Sequence, residues 1–274
     1  MKSIYHGMNQ AQLNDAYNLS ETVPDFAELL NNFSLRSQKS RKQHECELDI
    51  SYGPLPRNTF DYFPSLNVKA PTIIFIHGGF WQSTSKDIYS FIVDGLVPNY
   101  NVILTEYTLA PEASLTQIFY EIDLMLNYLK SNMNKYKLTF GKICLSGHSA
   151  GAHLAALHRT HPLISHAMWL SGIADLKPIS LCKLNEKLQL TNTEIQLLSP
   201  VNNITLSIPT AVHVGSIEKS EMLSHSDRYA QLLHKKGNAT YYSRLDKLDH
   251  FNLLNEFSKK EGLLVKSLDT LFKL

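Results

Sequence analysis

The chain has 274 residues, 43% of them hydrophobic and 19% charged, with a formal net charge of +1. This is the composition of an ordinary globular protein with one large domain or two small ones, and the near-balanced charge gives no overall electrostatic pull towards nucleic acid or an anionic membrane. The three cysteines, Cys46, Cys144 and Cys182, form no C-x-x-C pair, and the twelve histidines show no H-E-x-x-H spacing, which argues against a disulfide framework and a zinc site.

The residues from Met1 to Gly7 carry no apolar signal core, and no run approaches transmembrane length. The expected location is therefore a reducing cytoplasm, away from any membrane. Residues 1–45 read as a helical extension. Gln10 to Tyr17 suits a short helix, and Asp25 precedes Phe26, Leu29, Leu30 and Phe33 at helical spacing. Ser34 to Glu45 is charged, with the marks of an exposed helix or linker. The extension is either a surface pack of helices or a cap over a pocket.

Residues 46–274 read as one domain. Leu48, Ile50 and Tyr52 alternate up to a Gly53-Pro54 turn, and Phe60 and Tyr62 follow, which predicts an antiparallel hairpin. Thr72 to Ile76 is a continuous apolar run of the kind buried on both sheet faces, and Asn101 to Tyr107 is a second. Apolar residues at 118, 119, 122, 125, 126 and 129 mark a helix over Leu115 to Leu129. Strand Ile143 to Leu145 then leads to helix 150 to 160, and strand His166 to Leu170 to a looped region. Strand Ile208 to Val214 leads to helix Met222 to Lys236, and strand Thr240 to Leu245 to a helix over Phe251 to Phe272. This alternation predicts an α/β fold, a mostly parallel sheet with helices on both faces.

Gly147-His-Ser-Ala-Gly151 sits between the strand at 143 and the helix at 150. So tight a turn strains its middle residue and lifts the Ser149 hydroxyl towards the first free N–H groups of the new helix, making Ser149 a candidate nucleophile beside an anion site. A serine needs a base, and the base an orienting acid. His250 follows the strand at 240–245 and is the candidate base. Glu218, just past the strand ending near Val214, is the first candidate acid, with Glu221 and Asp175 as alternatives. His77-Gly-Gly-Phe-Trp81 follows the strand at 72–76. There the backbone N–H groups of Gly78 and Gly79, with that of Ala150, can converge on a substrate oxygen. Phe80, Trp81 and His148 are expected against the substrate, although Trp81 has burial beneath the loop as its alternative. Tyr107 is expected to pack against the same loop, and Cys144 to be a small core residue.

These residues resemble the arylformamidase, or kynurenine formamidase, branch of the α/β-hydrolases, near the hormone-sensitive-lipase-like esterases. The resemblance rests on His77-Gly-Gly-Phe-Trp81, Tyr107-Thr-Leu-Ala-Pro111, Gly147 to Leu154, Leu198-Ser-Pro200, Val214-Gly-Ser-Ile-Glu218 and Asp249-His250-Phe251. It spans roughly residues 70 to 255. The esterases usually carry a third glycine where this chain has Phe80, and the form with an aromatic there leans towards the formamidases. The resemblance implies the α/β-hydrolase fold, with Ser149 as nucleophile, His250 as base, Glu218 as acid, and Gly78, Gly79 and Ala150 as the oxyanion hole. It further implies hydrolysis of an N-formyl aryl amide, such as N-formylkynurenine, to kynurenine and formate without metal or cofactor. The partner expected is a small-molecule substrate, with a homodimer as an allowed assembly. A carboxylesterase for short acyl esters is the nearest rival reading, and an inactive hydrolase fold used as a binding module is the rival from another class.

Overall fold

The computed structural model describes residues 3–67, 69–97 and 99–274. Their strands are β1 (Glu47–Ser51), β2 (Thr59–Phe63), β3 (Thr72–Ile76), β4 (Asn101–Thr105), β5 (Ile143–His148), β6 (His166–Leu170), β7 (Thr210–Gly215) and β8 (Thr240–Leu245). They form one sheet in the order β1-β2-β4-β3-β5-β6-β7-β8. The β1–β2 hairpin and the β2–β4 pairing are antiparallel, and every pairing from β4 to β8 is parallel. All residues of β3 to β7 are buried, whereas both edges, β1 and β8, are largely exposed. Continuous apolar runs are what strands covered on both faces require.

The helices are α1 (Gln10–Ala16), α2 (Phe26–Gln43), α3 (Val93–Leu96), α4 (Leu115–Ser131), α5 (Ala150–Leu157), α6 (Lys177–Ser180), α7 (Asn185–Leu188), α8 (Asn192–Leu197), α9 (Ser220–Lys235) and α10 (Leu263–Leu271). Strand parity sends alternate side chains into separate cores. Ile74, Ile76 and Leu145 pack with the apolar stripe of α4, whereas Ile73, Phe75 and Cys144 pack with Phe33 of α2, residues of α3, and Leu264 and Leu268 of α10. Cys144 is thus a core residue, and burial alone pushes its thiol well above the ordinary range. No helix of the described residues is long and apolar enough to cross a membrane.

One expected element differs and one alternative is decided. Of the two readings of residues 34–45, helix or linker, the structure has the helix up to Gln43: α2 is one helix of 18 residues, capped by the Asp25 carboxylate on the Glu28 N–H. Its polar side is partly committed, because Arg36 donates to Asn255 Oδ1 at 2.7 Å and Arg41 Nε to Ser90 Oγ at 3.0 Å. The single helix expected over 251–272 is instead a 3₁₀ turn at Asn252–Glu256 followed by α10. Between them the chain turns on itself, with Glu256 accepting from the Leu263 N–H at 2.9 Å; a Cβ on Gly262 would stand 1.9 Å from the Glu256 carbonyl oxygen. That contact and the polar run Ser258 to Glu261 remove the apolar stripe a continuous helix would need.

The buried histidines give the fold an acid limit. Burial lowers His153 to about 3 and both His213 and His225 to about 4. The folded values lie below the unfolded value near 6.5, so as pH falls the unfolded chain takes up protons first. This contribution to stability is complete above pH ~6.5 and is lost progressively as pH falls towards ~4. Unfolding free energy should fall by on the order of 3 kcal/mol per pH unit near pH 5. Urea midpoints at pH 7.5, 6 and 5 check it, and a flat response would contradict neutral burial of these rings.

Candidate active site

Ser149 joins β5 to α5 with φ 57° and ψ −119°, a strained conformation for a non-glycine residue. The turn closes because Gly151 packs backbone against backbone: a Cβ there would stand 2.0 Å from the Ile76 carbonyl oxygen and 2.5 Å from that of His77. Gly151→Ala should therefore cost about 3 kcal/mol or more through overpacking against immovable strand backbone. Chemical denaturation measures this, and a loss under ~1 kcal/mol would show that β3 and α5 can separate. The Ser149 N–H donates to Leu170 O at 2.9 Å, fixing the turn to β6, while its hydroxyl makes no hydrogen bond among the described residues.

His250 lies in the loop after β8. The Asp249 side chain accepts from the N–H groups of Phe251 and Asn252, each at 2.8 Å, and Asn252 Oδ1 accepts from the Asp249 N–H at 2.7 Å. His250 Nδ1 donates to Glu218 Oε2 at 2.7 Å, and both side chains are buried. The other oxygen of Glu218 accepts from Ser171 Oγ at 2.5 Å and the Gly215 N–H at 2.7 Å. Of the three carboxylates considered, Glu218 alone meets His250. Asp175 instead pairs with Arg228 at 2.8 Å and caps the Lys177 N–H, and Glu221 sits in the first turn of α9. Ser171, just past the end of β6, was not expected as a partner of the acid. Its place at a strand's carboxyl end was the available signal.

The His77–Trp81 loop lies against the serine turn, since a Cβ on Gly78 would come within 3.0 Å of Ser149 Cβ and of His148 O. Gly79 has φ +104°, and a Cβ there would meet Ser83 O at 2.2 Å, so only glycine fits. The N–H groups of Gly78, Gly79 and Ala150 find no acceptor among the described residues. The loop is braced from behind by His77. Its Nε2 bonds Glu106 Oε1 at 2.9 Å and its ring stacks on Tyr107 with centroids 4.4 Å apart, while the Tyr107 hydroxyl donates to His77 O at 3.1 Å. Burial would raise the Glu106 carboxyl, but His77, Arg57 and the Tyr107 N–H outweigh it and hold it below the ordinary range.

Ser149, His148, Gly79, Phe80 and His250 line one cavity of about 710 Å³, a size usual for a small-molecule site. Two of the residues expected against the substrate need correction. Trp81 is fully buried and lines no part of this cavity; it packs edge-on against His153, with ring centroids 4.9 Å apart. The positive φ of Phe80 and Trp81, 50° and 59°, turns the loop so that the indole drops beneath it. His148 lines the cavity, but Nε2 lies 2.7 Å from the main-chain oxygen of His250 and Nδ1 is buried without a partner, so neither nitrogen is offered to a ligand.

The far wall comes from the N-terminal segment, with Tyr17, Leu19 and Phe26, and from Cys182 to Lys187. The two are joined: Gln10 Nε2 donates to Leu181 O at 2.8 Å and the Lys183 N–H to Asn14 Oδ1 at 2.9 Å. Tyr17 OH sits 2.8 Å from His225 Nε2 in α9.

Comparison with known proteins agrees with this architecture. The BD-FAE family model matches residues 62–165. A kynurenine formamidase of Drosophila melanogaster is 30% identical over 245 residues, covering 78% of this chain and 81% of the fly protein. The chain belongs to the kynurenine formamidase family. A zebrafish (Danio rerio) kynurenine formamidase is 29% identical, with 85% of this chain and 84% of the fish protein covered. Among solved structures, one from Silicibacter sp. TM1040, described provisionally as a thioesterase, superposes with a TM-score of 0.85 at 23% identity over 94% of this chain and 99% of its own. Esterase B of Lactobacillus rhamnosis superposes with a TM-score of 0.73 at 15% identity, over 90% and 95% of the two chains. This member of the formamidase family is a hydrolase enzyme of α/β-hydrolase fold.

Proposed function

We propose that the protein hydrolyses N-formylkynurenine, or a closely similar aryl formamide, to the free arylamine and formate through Ser149, His250 and Glu218. The observation that carries the reading is one cavity lined by both Ser149 and His250, with His250 held from behind by the buried Glu218 and with unpartnered backbone N–H groups beside the serine turn. The family's members named kynurenine formamidase supply the substrate class.

With Glu218 accepting from Nδ1–H, the lone pair of a neutral His250 sits on Nε2. Ser149 Oγ attacks the formyl carbon as its proton passes to Nε2, and the N–H groups of Gly78, Gly79 and Ala150 receive the oxyanion. Collapse breaks the C–N bond, and His250 returns the proton to the leaving arylamine nitrogen. A water molecule, deprotonated by His250, then attacks the formyl ester, and Ser149 takes back the proton as formate leaves. Glu218 holds the tautomer and stabilises the imidazolium without itself taking a proton. Phe80 and Phe251 offer apolar walls to an aryl ring, and residues 3–45, through Tyr17, Leu19 and Phe26, act as the cap that closes the site. The three free thiols suit a reducing cytoplasm.

A short-chain carboxylesterase would use the same groups, and an esterase of Gibberella moniliformis is 30% identical over 125 residues. Initial rates on N-formylkynurenine and 4-nitrophenyl acetate decide between them. A kcat/KM of about 10⁴ M⁻¹s⁻¹ or more on the formamide is expected. Ester cleavage without kynurenine release would rule out the formamidase reading and leave an esterase.

A further inference from the structure

The proposed triad leaves one geometric question open, because Ser149 and His250 share no hydrogen bond yet must keep a working separation. Glu218 holds the far edge of the His250 ring through Nδ1, which sets the ring's orientation and tautomer. It does not tie the main chain of the β8–α10 loop to β5, which carries the serine. The contact that does so comes from His148, the residue before Ser149. Its Nε2 lies 2.7 Å from the main-chain oxygen of His250, across 102 residues of sequence. The two rings lie side by side, with centroids 4.5 Å apart at 44°. A carbonyl oxygen can only accept, so Nε2 of His148 carries the proton and donates.

We propose that His148 is a positioning residue that spaces the base from the nucleophile by tying the main chain of His250 to the end of β5. Nothing else at this position explains a histidine. Its Nδ1 is buried without a partner among the described residues, and the residue is 2% exposed, so it offers no nitrogen to substrate or solvent. An apolar side chain would avoid the cost of an unsatisfied buried acceptor. The retained imidazole is accounted for by the one bond it makes. Burial, with His250 beside it, holds the ring well below the ordinary histidine range, so the donor keeps a single tautomer through neutral pH. The same ring reaches the oxyanion loop, since a Cβ on Gly78 would come 3.2 Å from Nδ1. His148 thus touches both the base's loop and the proposed oxyanion loop while joined covalently to the nucleophile.

The proposal rests on the triad reading, and its test separates the two. Rates of fluorophosphonate labelling of Ser149 and of 4-nitrophenyl acetate cleavage, neither requiring the natural substrate, are measured for the wild type, His250→Ala, His148→Gln and His148→Asn. The Gln amide can place a donor near the Nε2 position, whereas the shorter Asn amide cannot, and both are polar side chains of like chemistry. The expected result is near-wild-type rates for Gln. For Asn, kcat and labelling should fall on the order of 10²-fold, the usual scale for misplacement of a reacting group by about 1 Å, with KM within about twofold and the melting temperature matching that of Gln. Equal rates for Gln and Asn would overturn the positioning role, as would a rise in KM at constant kcat, which would mark direct substrate contact. If His250→Ala labels as fast as the wild type, the triad reading itself fails. A full effect in His250→Ala with none in His148→Asn removes only the spacing role.

Discussion

Ser149→Ala is expected to lower kcat on any substrate the enzyme turns over by on the order of 10⁵- to 10⁶-fold, with little change in stability. The size follows from the role, because removing the nucleophile of a serine triad leaves only the catalysis due to binding and the oxyanion donors. The intact fold follows from the local geometry. The Ser149 hydroxyl makes no hydrogen bond among the described residues, so its loss breaks none, and alanine inherits the same φ of 57° without added strain. Thermal unfolding of the variant should match the wild type within a few degrees, while fluorophosphonate no longer labels the protein. Residual turnover above about one per cent would move the nucleophile elsewhere.

Glu218→Gln should lower kcat by roughly 10⁴-fold. The carboxylate accepts on both oxygens, from Ser171 Oγ and the Gly215 N–H on one and from His250 Nδ1 on the other. The Gly215 N–H can only donate, so a glutamine oxygen is drawn to that side and the amide NH₂ is left facing His250. The imidazole must then present a lone pair at Nδ1 and carry its proton on Nε2, the tautomer that cannot receive the serine proton. Glu221→Gln and Asp175→Asn should stay within about twofold of wild type, because Asp175 is engaged with Arg228 and neither residue bonds His250. If Asp175→Asn produced the large loss and Glu218→Gln did not, the structural pairing would have no catalytic meaning. Together these variants distinguish the acid from its two rivals by rate alone.

Residues close along the chain were the most legible. Thr72–Ile76, His166–Leu170 and Thr240–Leu245 occupy the residues their runs of apolar and β-favouring side chains mark out. The strand, turn and helix around Ser149 also follow from local rules, because every atom that shapes an elbow lies within a few residues of it. The last helix departs from its sequence pattern for the converse reason. The residues from 251 to 272 contain enough apolar positions for one helix, but a close approach between Gly262 and the Glu256 carbonyl divides them, and such an approach leaves no periodic trace.

The sequence by itself determined the alternating α/β architecture and the strand, turn and helix that carry Ser149, since each is set by short-range pattern. Only the tertiary structure decided that Glu218 and not Glu221 or Asp175 meets His250, that Ser171 supports that acid, that Trp81 lies under its loop, and that His148 turns towards His250. Those contacts join residues 32, 47 and 102 positions apart. Their partners are fixed by the order in which β5, β6, β7 and β8 lie side by side, and by the direction each side chain takes at a strand's end. Hydrophobic period reports that a strand exists and which faces it buries, but is silent on its neighbour.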